Sequence, residues 1–372
     1  MTTVERNTTQ RKDFADEIRA ENAEIKRNFV KTFIKDTNGK LKPGIEAKIF
    51  KDGSKYEGNL SGNKKHGIGA FYYANNDSYF GDWKNNNFSG NGVYTFEKGE
   101  RYMGDLENGM REGFGTYHYL DGNIYKGNWS KDKKNGKGKY YYRATGEKYE
   151  GGWHNGYKSG KGIFTFATGD YYEGDFSDGF KHGKGRIYYK DGSIFSGNWK
   201  NDKAVGEGKI TYVNGDSYKG EFKGSLKQGK GEYTFKSGLV YKGEFDEDTM
   251  TGKGKIHYPN GDKYYGGITN GKKDGKGEYT FKNKDKYDGE WRDDQKEGHG
   301  TYKYHESEEE YHGNWLNNKK HGKGKYKYKN GDSFEGEFKN GRRDGYGVYI
   351  SKYGDLQKGT WSGNNLITEN RA

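Results

Sequence analysis

Residues 214–235 read NGDSYKGEFKGSLKQGKGEYTF. Large and small side chains alternate as in a β-strand, yet glycine recurs throughout, and glycine weakens strands. The explanation begins one unit upstream and one unit downstream. Aligned on Tyr218, an aromatic residue recurs at Tyr56, Tyr79, Tyr102, Tyr125, Tyr149, Tyr172, Phe195, Tyr241, Tyr264, Tyr287, Tyr311 and Phe334. The step is 23 residues, except for two steps of 24. Two residues after each aromatic comes a glycine, as Gly220, and a Gly-x-Gly follows further on, as Gly229 and Gly231. Four residues after each aromatic stands a large apolar residue, as Phe222, and all seven tryptophans of the chain fall in that column or its continuation at Trp361. A fixed period of this kind is the signature of a repeat architecture.

Composition agrees. Apolar residues make up only 29% of the 372, and aromatics alone 17%, so rings rather than aliphatic side chains supply most of the core. With 32% charged residues and few aliphatics, disorder is the default reading, but disordered segments are poor in aromatics. Cysteine is absent, which removes disulfide and zinc-thiolate chemistry. No apolar run is long enough to span a bilayer as a helix and the N-terminus lacks a signal-peptide core, so the expectation is a soluble, cytoplasmic protein. The formal charge of +12 is spread among interleaved Lys, Glu and Asp, the pattern of a solvated surface rather than a nucleic-acid groove.

Each unit reads as strand, loop, strand, turn. The two extra residues fall within Tyr140–Gly151 and Tyr302–Gly313, where insertions mark a turn. Asn214-Gly215, Asp191-Gly192, Asn330-Gly331 and similar pairs occupy that place, which predicts type I′ hairpin turns there. The other link, as in Leu316–Gly322, reads as a longer polar loop. Period-two alternation puts Tyr218, Gly220 and Phe222 on one face with Gly229, Gly231, Tyr233 and Phe235, and charged residues on the other. Glycine then leaves room for a ring from a neighbouring strand. Each covered glycine gains roughly 1.5–3 kcal/mol of ring burial against a glycine cost of roughly 0.5–1 kcal/mol.

Tyr-x-Gly-x-(Trp/Phe), a His-Gly as at His66-Gly67, His182-Gly183 and His321-Gly322, then Gly-x-Gly-x-Tyr, resembles the MORN repeat (membrane occupation and recognition nexus). The resemblance implies an all-β repeat fold: an elongated single-layer antiparallel meander of about 13 hairpins over residues 44–361. Residues 1–43 precede it as a helical segment and 362–372 follow as a frayed tail. In the N-terminal segment Phe14, Ile18, Ile25, Phe29 and Phe33 fall at helical spacings. They form either a cap over the first strand edge or a docking element for a protein partner.

No catalytic, cofactor or metal site is expected. Gly-x-Gly recurs in every unit but leads into strand, whereas a dinucleotide loop leads into a helix. The histidines sit in distant repeats, and His305–Glu310 reads as a charged hairpin tip. The resemblance points to a non-enzymatic scaffold that binds protein partners, with self-association open, in a cytoskeletal assembly, and within the family to a ciliary or flagellar axoneme, like radial spoke MORN proteins. Peripheral contact with acidic phospholipids is the less favoured alternative.

Overall fold

The computed structural model describes residues 20–369. Twenty-nine strands belong to one antiparallel sheet, and the ladders run between strands consecutive in the chain. One repeat sets the pattern: β16 (Ser217–Lys223), β17 (Leu226–Thr234) and β18 (Val240–Asp246). Tyr218 pairs with Tyr233 and Gly220 with Gly231 on one side, and Tyr233 with Tyr241 and Gly231 with Gly243 on the other.

The glycines do what their spacing suggests, with one correction. Tyr218 lies down along its own strand, and its hydroxyl donates to the Glu221 carbonyl at 3.0 Å. Its ring therefore crosses Gly220 and the paired Gly231 together. A Cβ on Gly220 would sit 2.5 Å from both the Gly231 Cα and the Tyr218 hydroxyl. The ring over Gly220 thus comes from two residues earlier in the same strand, not from a neighbouring one. The neighbouring-strand account holds for Gly231, which Tyr218 covers from across the ladder.

The two links exchange roles relative to the sequence reading. The tight turn is Gly224-Ser225, both at positive φ (62° and 74°), as a type I′ turn requires. Asn317-Asn318, inside the segment read as a long polar loop, does the same (48° and 67°). The Asn-Gly pair at 214–215 instead lies in a five-residue loop, residues 212–216, where Gly215 takes positive φ (95°) and its N–H donates to the Tyr212 carbonyl at 3.0 Å. Polarity misled: Lys319–Lys327 is strand throughout, its Lys320 lying over the Tyr326 ring and its Lys325 pairing with Glu335 on the opposite face. The extra residues at 142–147 and 304–309 do fall in the loops, as expected.

Between the Gly220–Gly231 and Phe222–Lys227 pairs, one residue faces three, so β17 bulges. Gly229 sits in that bulge at φ 66°, and the Glu221 carboxylate fills it, accepting the Lys230 N–H at 3.0 Å. The register shift recurs from repeat to repeat, as at Gly81/Trp83 and Gly336/Phe338.

The contacts divide the chain into two units. One reaches Lys190 and includes Trp199–Asp202; the other holds Asp191–Asn198 and everything from Lys203. In the first unit, helix α1 (residues 20–34, its last turn Val30–Ile34 a π-helix) packs on the sheet. It does not cap the edge. The edge strand β1 (Glu46–Ile49) is short and exposed along its length. The helix lies on the face opposite the rings, where Ile34, Ala70 and Phe80 form a buried cluster with Phe29, Val30, Ile45 and Tyr72 around it. Face packing wins because this corner of the sheet is apolar, and burying it returns more than shielding a four-residue edge.

At the other end, β29 (Asn365–Glu369) pairs with β28 (Leu356–Ser362), where a frayed tail was expected. Gly363-Asn364 (φ 56° and 81°) supplies the same tight turn, and Leu366 pairs with the buried Trp361.

Candidate interaction face

The ring face is built in levels. The tyrosines that lie on glycine pairs form the base, and Tyr218 is 0% exposed. Phe222 and Phe245 meet its ring edge-on at 5.3 and 4.8 Å, a favoured aromatic geometry. Tryptophan suits the second level because its indole N–H finds a glycine carbonyl: Trp83 donates to Gly69 at 3.2 Å, Trp291 to Gly277 at 3.0 Å and Trp315 to Gly300 at 3.1 Å. Tyr233 and Phe235 are half-buried, their centroids 4.5 Å apart. Their counterparts continue as a zigzag of rings, interrupted where Ile187, Ile210 and Ile256 stand in the Tyr233 column. In the second unit it passes Tyr279, Phe281, Tyr302, Tyr304 and Tyr326, with neighbouring centroids 4.5 to 6.1 Å apart.

A row of cations lies over the rings. Lys134 stands 4.4 Å from the Trp153 centroid and 4.7 Å from Tyr140; Lys296 stands 4.8 Å from both Tyr302 and Trp315; Lys320 stands 4.4 Å from Tyr326. Arg111 and Arg343 do the same over Trp129 and Trp361. Each stem covers aromatic surface while its head sits against π-faces. Burial holds the ammonium groups of Lys134, Lys296 and Lys320 down to about 8. Burial also raises the base tyrosines, Tyr241 to about 12.

The five-residue loops are tied together by carboxylates. Asp216 accepts the Lys236 N–H at 2.7 Å and the Tyr233 hydroxyl at 2.9 Å from the next repeat. Asp262 and Asp285 repeat the arrangement with Lys282/Tyr279 and His305/Tyr302. The Tyr349 hydroxyl and the Lys352 amide, in that order, hold the Asp332 carboxyl below its ordinary value.

The repeat residues named from sequence, Tyr218, Gly220, Phe222, Gly229, Gly231, Tyr233 and Phe235, thus come together on one face. The N-terminal candidates do not join them. Ile25 and Phe29 are half-buried on the opposite face, and Phe33 is 42% exposed beside a groove of about 320 Å³ lined by Phe29, Ile68, Phe80, Val93 and Met103. Phe14 and Ile18 lie outside the described residues. Sequence reasoning missed the cation row and the loop carboxylates. Both were periodic signals: a basic residue recurs five after Phe222-type positions, as Lys227, Lys273 and Arg343, and an acid often two before the Tyr218-type position. Among the described residues, no group of His, Cys, Asp or Glu is placed to hold a metal ion, and no helix is long and apolar enough to cross a membrane.

A glycine-seated aromatic frame, copied along the sheet and presenting one ring face, defines a repeat-built interaction module. The chain belongs to the MORN-repeat family: thirteen stretches match the MORN repeat, from residues 56–78 through 218–240 to 334–355. No curated protein matches the chain. Among solved structures, it is similar to the wild-type TCP10 domain of Danio rerio CPAP, with 10% identity over 75% of this chain and 99% of that one, at a TM-score of 0.29. It is also similar to the TCP10c domain of Drosophila melanogaster Sas-4, with 14% identity over 60% of this chain and 99% of that one, at a TM-score of 0.19. Likeness at that level carries no argument about function.

Proposed function

We propose that this MORN-repeat chain is a non-enzymatic structural scaffold that binds protein partners through its ring face. The observation that carries this reading is the zigzag of half-buried rings under a row of cations, with α1 on the other face. Aromatic side chains and arginine, here the rings with Arg111 and Arg343 among them, are the ones that anchor protein interfaces. The assembly is cytoskeletal and cytoplasmic, and within it a ciliary or flagellar axoneme of the radial spoke kind. That finer placement rests on the resemblance to radial spoke MORN proteins. A second reading, a membrane-surface adaptor for acidic phospholipids, draws on the formal charge of +12. Interleaving of that charge with carboxylates on the face opposite the rings, as in the Lys139–Glu150 and Lys325–Glu335 pairs, weighs against it.

The test is a pull-down from native ciliated-cell extract with mass spectrometry, run beside vesicle sedimentation. Axonemal proteins retained by the chain, with only weak and salt-sensitive vesicle binding, are expected. Tight, salt-resistant binding to one phosphoinositide, with no protein retained, overturns the reading.

A further inference from the structure

The cation row is not uniform. Four of its members have a counter-ion built into the next tight turn. Asp132 lies 2.9 Å from the Arg111 guanidinium, Asp202 3.9 Å from Lys181, Asp248 2.8 Å from Lys227 and Asp294 3.8 Å from Lys273. Each aspartate holds the second turn position at a φ of 67° to 70° and accepts the N–H of the residue it neutralises, as Lys227 donates to Asp248 at 3.0 Å. At the equivalent place, Lys134 faces Gly156, Lys158 faces Gly179, Lys296 faces Asn318 and Lys320 faces Gly341. The backbone hydrogen bond is kept: Gly156 donates to the Lys134 carbonyl at 2.9 Å, as Asp248 does to Lys227 at 3.0 Å, although the three glycines take a wider φ of 88° to 91°. Among the described residues, none of these four lysines has a carboxylate in ion-pair contact.

Lys65, which faces Asn86, and Arg343, which faces Asn364, lack the carboxylate in the same way. Lys134 and Lys158 are consecutive members of the row in one unit, and Lys296 and Lys320, followed by Arg343, in the other. Repeats follow every two strands, so the members of a pair stand about 10 Å apart across the sheet. Each head is half-buried against rings. A cation held there without a counter-ion is relieved when a carboxylate arrives, and that charge-assisted contact is stronger than one in open water.

Resting on the scaffold reading, we propose that the ring face of each unit takes an acidic segment of a partner protein, its carboxylates meeting Lys134 and Lys158 in one unit and, as a separate site, Lys296 and Lys320 in the other. The neutralised repeats, at Arg111, Lys181, Lys227 and Lys273, do not take part. About 10 Å is the rise of seven residues of α-helix, so acids seven residues apart on one helix face match a pair. A lipid surface fits less well, because these ammonium groups are sunk among rings, whereas headgroups select exposed basic clusters.

The protein's own repeats supply the variant. Gly156→Asp, Gly179→Asp, Asn318→Asp and Gly341→Asp together install the missing counter-ions. A Cβ meets nothing within 4 Å at Gly156 or Gly341, and only Tyr157 at 3.9 Å at Gly179, so the cost of the aspartates is the backbone strain of a side chain at φ 88° to 91°. A control variant, Lys139→Gln, Lys209→Gln, Lys255→Gln and Lys325→Gln, removes the same charge from the opposite face. The full chain is titrated with a fluorescent poly-glutamate peptide and with phosphatidylserine vesicles, and thermal melts check the fold. The ring-face variant is expected to stay cooperatively folded with a lowered melting temperature and, below that temperature, to bind the peptide about tenfold more weakly, while the control loses much less. Equal loss in both variants, no loss in the ring-face variant, or wild-type binding to vesicles alone overturns the proposal. The same proteins are used in the pull-down. A partner retained equally by wild type and ring-face variant sinks the acidic-segment proposal and leaves the scaffold reading standing; no partner on wild type sinks the scaffold reading itself.

Discussion

Ala70 and Phe80 face each other across one ladder, and Lys325 and Glu335 occupy the same two repeat positions in the second unit. The first pair is 0% and 2% exposed under α1. The second is a surface ion pair at 3.4 Å, with side chains 55% and 63% exposed. On the ring side, both places have the same parts: Tyr79 or Phe334 over a glycine pair, with Trp83 or Phe338 beside it. The repeat therefore fixes one face and leaves the other free. Where the free face carries Ile68, Ala70, Tyr72, Phe80, Val93 and Met103, it holds a helix; where it carries charge, it stays in water.

The largest effect tests the shared frame. Gly81→Val and Gly336→Val should each cost about 3 kcal/mol or more in denaturant unfolding, since a Cβ would sit 2.5 Å from the Cα of Gly92 or Gly347. Serious damage in one unit and tolerance in the other would break the idea of a common frame. The free face should then separate the units. Phe80→Ala is expected to cost about 3 kcal/mol through loss of the buried cluster, and Glu335→Ala under about 0.5 kcal/mol. Similar losses at both would mean that α1 contributes little to the fold.

A smaller effect is written in pH. Lys134, Lys296 and Lys320 titrate near 8 in the fold against 10.5 in the unfolded chain. Between those values the unfolded chain binds more protons, so stability rises with pH. Tyr241 titrates near 12 in the fold against 10.0 unfolded, and the other base tyrosines are raised as well, so above pH 10.0 the folded chain binds more protons and stability falls. Melting temperature should climb from neutral pH to a maximum between about 9 and 10 and then drop. A steady fall from neutral pH upward would contradict the desolvated lysine row.

The frame was legible because it is periodic: Tyr218, Gly220, Phe222, Gly229 and Gly231 recur without a miss, and spacing alone places them on one face. What escaped had physical reasons. Lys227 reads as solvent-facing in any hydropathy scheme, yet its stem belongs to the ring face. Asn-Gly is the strongest short hairpin signal, but the tight turn went to Gly224-Ser225, because the loop carboxylate ladder through Asp216 favours the longer five-residue link. The seat of α1 was written in the apolar residues Ala70, Phe80 and Val93, which break the charged pattern of their columns.

The most direct measurement of the central claim is acetylation footprinting of lysines by mass spectrometry, on the free chain and on the chain in the assembly captured from native extract. In the free chain, Lys134, Lys158, Lys296 and Lys320 on the ring face and Lys139 and Lys325 on the opposite face should all react. In the assembly the four ring-face lysines should be protected, and Lys139 and Lys325 should stay reactive. Protection of Lys139 and Lys325 with an unchanged ring face would contradict the account.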